Sequence, residues 1–251
     1  MKSIAMDTRA SREPKPLAAS IANNDCFEQL MLLVSMNGYA FARTLLPESS
    51  TQEIAIRLGS ILDPQKIAPG HGIATVQRLN PRESSDLDLH TYGGVYGRNE
   101  FPLHSDYAHW GSPPRFLMLR CLEGAPSVST YLLPASDILE HAGGLAERAV
   151  VVPRRTHPGR MLCPMPVCFR DGGNVGLRWD YLFLKPLNQA AIRVGESIKS
   201  IQEIRRIDVC LADPGDTLII DNWRMLHGRS SVPSSTHRRL ERIYVSKLWE
   251  Q

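Results

Sequence analysis

The amino-acid sequence predicts a mainly β protein with flanking helices, built on a β-sandwich or jelly roll. From about residue 73 onwards, short strand-like runs alternate with turn residues. The turns are marked by runs such as Asn80-Pro81, Pro113-Pro114 and Asp171-Gly172-Gly173. Such runs end strands because proline lacks an N–H and glycine accepts unusual dihedral angles. Three helical patterns accompany the strand-like runs.

The predicted elements follow in chain order. Strands are predicted at 38–43, 73–79, 116–121, 128–133, 149–152, 167–170, 217–220 and 239–248. Helices are predicted at 24–36, 51–63 and 187–204. The second helix has the capping-box pattern, with Ser50 and Glu53, and stops before Pro64. The third helix has one apolar stripe, formed by Ala191, Val194, Ile198 and Ile201.

The length of the chain favours one elaborated domain over two small ones, because 251 residues can bury a large core. Residues 1–20 carry charges throughout and contain two prolines, which predicts a mobile N-terminal lead-in. Residues 21–251 are therefore predicted to form a single domain.

The composition excludes several classes of function. A formal net charge of +3, without a block of lysine or arginine, argues against a nucleic-acid partner. The apolar stretches are too short to cross a bilayer, which argues against a membrane protein. The five cysteines are odd in number and scattered, as expected for reduced thiols in the cytoplasm. A small-molecule substrate is the expected partner, and the sequence makes no prediction of oligomeric state.

Two histidines and one aspartate are the candidate metal ligands. His104 and Asp106 are separated by one residue, and on a β-strand such side chains point to the same face. His227 follows an apolar strand-like run and precedes Gly228, which we expect to permit a sharp backbone turn. Two imidazoles and one carboxylate are the facial ligand set of non-haem iron(II) oxygenases, which leaves the opposite coordination positions open.

Two arginines near the C-terminus predict an anion-binding site. Arg238 and Arg242 share one face of the last strand-like run, while Ile243 and Val245 share the other. A guanidinium binds a carboxylate through two parallel hydrogen bonds, so a carboxylate-bearing ligand is the expected partner. The alternative is an exposed basic edge strand that discourages aggregation.

In these motifs the chain resembles the taurine dioxygenase/clavaminate synthase-like oxygenases, which depend on iron(II) and 2-oxoglutarate. Their pattern is His-x-Asp/Glu, a Thr or Ser about two dozen residues later, a distal His and an Arg beyond it. Here the pattern maps onto His104 and Asp106, Thr130 after 23 intervening residues, His227, and Arg238 after ten more. The resemblance covers roughly residues 38–249.

Neighbouring sequence supports the clavaminate synthase-like branch. The similar stretches are Phe101-Pro-Leu-His-Ser-Asp106, Pro113-Pro-Arg-Phe116 and His227-Gly-Arg229. One departure is the interval between Thr130 and His227, which at 96 residues is shorter than usual for the family and implies a trimmed insert.

The resemblance implies a double-stranded β-helix, that is, a jelly-roll, cupin-like core. It further implies that Fe(II) is bound by His104, Asp106 and His227. 2-Oxoglutarate would chelate that iron, with its distal carboxylate bound by Arg238 and Thr130, and O2 would take the remaining position. Arg242 would then contact an acidic group of the substrate, and the alternative that it is a salt-bridged arginine of the strand stays open.

The implied activity is hydroxylation of an unactivated C–H bond in a small polar metabolite, with release of succinate and CO2. An amino-acid derivative on a biosynthetic pathway is the expected substrate class, and desaturation or ring closure by the same site stays open. Two other interpretations stay open. One is a cupin-like metalloenzyme, an isomerase or hydrolase, that does not use 2-oxoglutarate; the other is a non-catalytic small-molecule-binding module.

Overall fold

A computed structural model of the protein describes residues 17–18, 24–67, 72–84, 88, 90–155 and 162–249. The predicted lead-in of residues 1–20 lies outside the described residues, except for residues 17 and 18. Its mobility and the single-domain organisation of residues 21–251 therefore stay predictions.

The described residues form sixteen strands and seven helices. The strands are β1 (Leu17–Ala18), β2 (Tyr39–Arg43), β3 (Gly59–Ile61), β4 (Val76–Leu79), β5 (Phe101–His104), β6 (Phe116–Glu123), β7 (Ser129–Pro134), β8 (Val150–Pro153), β9 (Met165–Pro166), β10 (Cys168–Asp171), β11 (Asn174–Leu177), β12 (Leu184–Pro186), β13 (Ile207–Cys210), β14 (Thr217–Asp221), β15 (Met225–Arg229) and β16 (Arg239–Leu248). The helices are α1 (Asn24–Asn37), α2 (Thr51–Leu58), α3 (Pro64–Ile67), α4 (Tyr92–Tyr96), α5 (Ala135–Ala142), α6 (Leu145–Arg148) and α7 (Gln189–Arg205).

Two antiparallel sheets dominate the fold. The larger sheet has the strand order β1-β2-β14-β6-β16-β3, with β4 also paired to β16, and within it only the pair β1–β2 is parallel. The smaller sheet has the order β13-β7-β15-β5. A three-stranded sheet, β12-β8-β9, and the hairpin β10-β11 complete the strands in the described part of the chain. The predicted class, mainly β with flanking helices, is confirmed.

The hydrophobic core of the described residues forms three large clusters between successive layers, and a fourth, small cluster contains Ala125, Val128 and Val232. The central cluster joins the two main sheets, because it combines side chains of β6, β14 and β16 with those of β7, β13 and β15. A second cluster lies between the larger sheet and helices α1 and α2. A third lies between the smaller sheet and helices α5, α6 and α7. The space between the two main sheets is therefore the interior into which polar side chains from both sheets can converge.

The last strand has the two faces that its sequence predicts. Leu240 and Tyr244 belong to the central cluster between the sheets, whereas Ile243 and Val245 pack toward α1 and α2. Helix α7 likewise buries the predicted stripe of Ala191, Val194, Ile198 and Ile201. The period of two places alternate residues of β16 in the clusters on the two faces of its sheet, and the period of 3.6 places the α7 stripe in the third cluster.

Helix α2 is shorter than its sequence predicts. The capping box of Ser50 and Glu53 is present, but the helix ends at Leu58 and the chain continues as strand β3. Gly59 makes this possible, since a Cβ there would lie 2.1 Å from the backbone oxygen of Lys247. Pairing with β16 thus overrides helix propensity. Pro64, expected to stop the helix, instead begins α3, a position where its missing N–H costs nothing.

Several elements were absent from the sequence prediction. Helices α5 and α6 follow β7, and the short strands β13 and β15 join the smaller sheet on either side of β7. β13 and β15 have only four and five residues, too few to establish a clear period in the sequence.

Within the described residues, Cys26, Cys121, Cys168 and Cys210 are free thiols. No helix in the described ranges is both long enough and apolar enough to cross a bilayer.

Candidate metal centre and its cavity

The three predicted metal ligands converge between the two main sheets. His104, Asp106 and His227 are all buried, and their ligand atoms lie within 4.8 Å of one another. The Oδ1 atom of Asp106 is 3.6 Å from the Nε2 atom of each histidine. Two imidazole nitrogens and one carboxylate oxygen on one side of a small space fit iron(II), because this donor set is the facial triad of non-haem iron proteins.

Strand pairing brings the two histidines together. Strand β15 pairs with β5 so that His227 lies directly opposite His104, and the ring centroids are 4.6 Å apart. The sequence predicts that His104 and Asp106 lie on one strand, and this prediction is wrong. Strand β5 ends at His104, and Asp106 lies in the following turn. Its carboxylate therefore reaches the histidines from a turn and not from the face of a strand.

The amide side chain of Asn222 holds the backbone of that turn. Its Oδ1 accepts a hydrogen bond from the N–H of Asp106 at 2.8 Å, and its Nδ2 donates to the carbonyl oxygen of Asp106 at 3.0 Å and to that of Pro114 at 2.8 Å. Tyr107, the residue after Asp106, has a φ of 53°, a backbone conformation that is strained for any residue with a Cβ. Asn222 therefore stabilises an unfavourable backbone geometry and links the Asp106 turn to the β14–β15 connection.

A second backbone link joins the Asp106 turn to the segment after β11. Ser105 donates its N–H to the carbonyl oxygen of Trp179 at 2.8 Å, and its Oγ accepts the N–H of Trp179 at 3.0 Å. Arg178 donates to the carbonyl oxygens of Ala108, Trp110 and Gly111. The loop that carries Asp106 is thus held on both sides by buried hydrogen bonds, which are costly to break.

Gly228 lies where the two strands that carry the histidines, β5 and β15, approach each other closely. The sequence predicts a sharp turn at Gly228. In the structure Gly228 continues strand β15, and the register is irregular between His227 and Arg229. A Cβ at position 228 would lie 2.6 Å from the carbonyl oxygen of Phe101 and 3.3 Å from the N of Leu103. Glycine is needed because of close backbone approach, not because of a turn.

Gly228→Ala is expected to lower the free energy of unfolding by about 1–3 kcal/mol, because overpacking at this contact must push β5 and β15 apart. Chemical denaturation measures this loss, and titration with Co(II) should show weaker metal binding, since the histidines sit on those strands. Gly144→Ala is the control, as its Cβ would meet no atom within 4 Å. Equal stability of the two variants would contradict the expectation.

The protonation states of the three side chains suit a metal. The Nδ1 of His104 lies 2.8 Å from the carbonyl oxygen of Pro102, which places a hydrogen on Nδ1 and leaves Nε2 as the ligand atom. Burial lowers the pKa of His104, but Asp106 raises it more, so a metal at Nε2 would displace a proton. Burial lowers the pKa of His227, so its imidazole stays neutral. Burial raises the pKa of Asp106, but Arg242 and His227 lower it more, and it lies well below its usual value. Asp106 is therefore ionised.

Arg238 is a buried cation in the same space. It is 6% exposed, its Nη2 lies 3.4 Å from the hydroxyl of Thr130, and its Nε has no hydrogen-bond partner among the described residues. Burial lowers the pKa of Arg238 to about 10, which still leaves it protonated near neutral pH. A buried guanidinium with an unsatisfied N–H needs an anion. This orphaned donor fits the distal carboxylate of 2-oxoglutarate.

Arg242 is directed toward a metal ligand. Its Nη1 donates to Oδ2 of Asp106 at 2.8 Å, and its Nε and Nη2 donate to Oε1 of Gln77 at 3.2 and 2.7 Å. The hydroxyl of Tyr244 donates to the same Oδ2 at 2.7 Å. Three of the five N–H bonds of the guanidinium have partners among the described residues, and the other two have none there. A substrate contact by Arg242 stays a prediction.

These groups line one cavity of about 530 Å³. Among the described residues, two carboxylates line this cavity, those of Asp106 and Asp180. Asp180 is 3% exposed. Oδ1 of Asp180 accepts the N–H groups of Leu182 and Phe183, each at 2.7 Å. Burial raises the pKa of Asp180. The aromatic ring of Tyr92 forms another wall and stacks on His104, with 4.2 Å between the centroids.

Sequence reasoning missed three residues that the structure places at the site, namely Asp180, Asn222 and Tyr244. A signal was present for Tyr244, since it lies two residues after Arg242 and therefore on the same face of β16. Asn222 lies next to Asp221, after the predicted strand of residues 217–220, and no sequence pattern distinguishes its role.

Comparison with known proteins gives a consistent picture. No family model matches the chain. An L-lysine 3-hydroxylase from Catenulispora acidiphila is 26% identical over 180 residues, which is 65% of this chain and 48% of that protein. The chain therefore spans about half the length of this curated relative.

Solved structures share the fold. Asparagine oxygenase in complex with Fe(II), 3-hydroxyasparagine and succinate superposes with a TM-score of 0.67 at 18% identity, covering 89% of this chain and 78% of that one. The non-haem iron oxygenase OrfP, with Fe, succinate and (3S)-hydroxy-L-Arg, has a TM-score of 0.64 at 18% identity and coverages of 89% and 80%. PvcB, an Fe- and alpha-ketoglutarate-dependent oxygenase, has a TM-score of 0.62 at 16% identity and coverages of 87% and 79%. The resemblance to iron- and 2-oxoglutarate-dependent oxygenases is confirmed.

Proposed function

We propose that this chain, which resembles iron- and 2-oxoglutarate-dependent oxygenases in sequence motifs and in fold, is a dioxygenase of that type. It hydroxylates an unactivated C–H bond of an amino acid or amino-acid derivative and releases succinate and CO2. The observation that carries the proposal is one shared cavity, lined both by the His–Asp–His group and by the buried pair Arg238 and Thr130. A metal-dependent isomerase or hydrolase has no need of a buried guanidinium beside its metal.

The residues of the cavity divide the work. Iron held by His104, Asp106 and His227, together with O2 and 2-oxoglutarate, supplies the oxidising power that an unactivated C–H bond requires. Arg238 and Thr130 bind the distal carboxylate of 2-oxoglutarate by charge-assisted and neutral hydrogen bonds. The chain's contribution is to place the co-substrate and the substrate beside the metal in one shared cavity.

We further propose that the core is a double-stranded β-helix of the jelly-roll, cupin-like type. Two facing antiparallel sheets support this, one containing β14, β6 and β16 and the other β13, β7, β15 and β5. The free thiols of Cys26, Cys121, Cys168 and Cys210 support a reducing compartment, so the cytoplasm is the proposed location.

The substrate class rests on two observations. One similar protein is named an L-lysine 3-hydroxylase, and the structures of asparagine oxygenase and OrfP contain 3-hydroxyasparagine and (3S)-hydroxy-L-Arg. In this chain, Arg242 retains two N–H bonds for a carboxylate, and Asp180 offers a buried carboxylate to a donor group. A zwitterionic amino acid whose side chain carries an N–H donor therefore fits the cavity, and an acidic side chain meets repulsion at Asp180.

Substrate-dependent release of succinate from 2-oxoglutarate, measured across the free amino acids, tests the proposal. We expect release with an amino acid such as lysine, arginine or asparagine, and none above background with aspartate or glutamate. Asp180→Asn keeps the Oδ1 acceptor for Leu182 and Phe183 but removes the charge, and it should weaken the preference for a cationic side chain.

Two outcomes would contradict this proposal. If no amino acid or amino-acid derivative increased the release of succinate, the proposed substrate class would be wrong. Metal binding without any response to 2-oxoglutarate would favour a cupin-like metalloenzyme instead.

A further inference from the structure

The two carboxylate oxygens of Asp106 have separate sets of neighbours. Oδ1 faces the metal position, at 3.6 Å from Nε2 of His104 and 3.6 Å from Nε2 of His227. Oδ2 faces away from it and accepts hydrogen bonds from Tyr244 at 2.7 Å and from Arg242 at 2.8 Å. One oxygen is therefore available to a metal, and the other is already occupied by protein donors.

Neither donor can easily turn away. Arg242 lies opposite Gln77 in the β4–β16 pair, and Oε1 of Gln77 accepts two of its N–H groups. Tyr244 is 1% exposed and packs in the central cluster, with its ring in edge contact with Tyr107 at 5.4 Å between centroids. Both donors lie on one face of β16, because they are two residues apart.

This arrangement has a consequence for coordination. A carboxylate can bind a metal through one oxygen or through both, and the second mode uses a further coordination position. An O–H···O⁻ hydrogen bond near 2.7 Å to an ionised carboxylate is among the stronger kinds in proteins. Two such donors on Oδ2 compete with the metal for that oxygen and restrict the ligand to Oδ1.

We propose that Tyr244, together with Arg242, is a positioning residue that holds Asp106 as a one-oxygen metal ligand. The free coordination position that results is available to the chelating co-substrate. This inference rests on the proposed function, because it requires that the His–Asp–His group binds a metal. It does not require that Arg242 contacts the substrate.

Tyr244→Phe tests the inference, since it removes one donor and keeps the ring. Titration of the metal-free protein with Co(II) gives both an affinity and a d–d absorption spectrum. We expect the affinity to fall by about 10-fold or more, as for loss of other outer-shell partners. We also expect a lower molar absorptivity, since Oδ2 becomes free to coordinate and d–d bands weaken as the coordination number of Co(II) rises.

Tyr39→Phe is the matched control. Tyr39 also contributes to the central cluster, but it lies on β2 and does not line the cavity. Both metal-free variants should melt within about 4 °C of the wild type, so a difference in the spectrum between them reports on the metal ligand and not on the fold.

The outcomes separate the inference from the proposed function. If the wild type binds Co(II), and Tyr244→Phe has the same affinity and spectrum, the role of Tyr244 is refuted while the oxygenase proposal stands. If the wild type binds neither Co(II) nor Fe(II), both are refuted. A weaker affinity with an altered spectrum in Tyr244→Phe alone supports the inference.

Discussion

His227→Ala is expected to abolish tight iron binding while leaving the fold intact. It removes one of three ligands, and the loss should exceed the roughly 100-fold upper range for outer-shell partners. The backbone of His227 is held by pairing with β5 and β7, which does not depend on the imidazole. Anaerobic titration with Fe(II), or titration with Co(II), measures the affinity, and circular dichroism checks the strands.

The control for this variant is His141→Ala, which changes an exposed histidine on helix α5 that does not line the cavity. It should bind metal as the wild type does. If His227→Ala retained wild-type affinity, the metal would have to lie elsewhere, and the candidate centre would be wrong.

Arg238→Met is expected to weaken binding of 2-oxoglutarate by about 100-fold or more, which corresponds to about 3 kcal/mol. The methionine fills part of the space, but the carboxylate of the co-substrate loses its buried cationic partner. Metal affinity should stay near the wild-type value, because Arg238 has no hydrogen bond to any of the three ligands among the described residues. Anaerobic titration of the Fe(II) protein with 2-oxoglutarate, followed by its visible charge-transfer band, measures the loss.

Arg239→Met is the matched control, since it removes a neighbouring positive charge that is exposed and paired with Glu123 at 3.1 Å. An exposed pair of this kind contributes little, and the titration with 2-oxoglutarate should be unchanged. Equal weakening in both variants would mean that general electrostatics, and not a specific site at Arg238, binds the co-substrate.

The convergence of the three candidate metal ligands was predictable, because each lies in a short motif whose residue types are those that bind iron(II). The order and spacing of His104, Asp106 and His227 match the His-x-Asp and distal His of a family pattern. Arg238 and Thr130 followed from the same pattern, and the structure brings their side chains to 3.4 Å. Long periodic elements such as α7 and β16 were predictable for a related reason, since many residues repeat one signal.

The groups that hold Asp106 were not predictable in the same way. Tyr244 lies 138 positions from Asp106 along the chain, and Asn222 lies 116 positions from it. Such contacts depend on strand register and sheet packing, for which a single sequence has no local signal. The end of α2 was missed for the same reason, because pairing of Gly59 with β16 outweighs the helical pattern.

The backbone links between Ser105 and Trp179 have a consequence for how this protein can change over evolution. They involve main-chain atoms of Trp179, while the cavity wall is formed by the side chain of the next residue, Asp180. A substitution at position 180 leaves the main-chain bonds in place, so the loop that carries Asp106 keeps its support. Under the proposed function, a substitution at position 180 would change the cavity wall that meets the substrate without removing the main-chain support of the Asp106 loop.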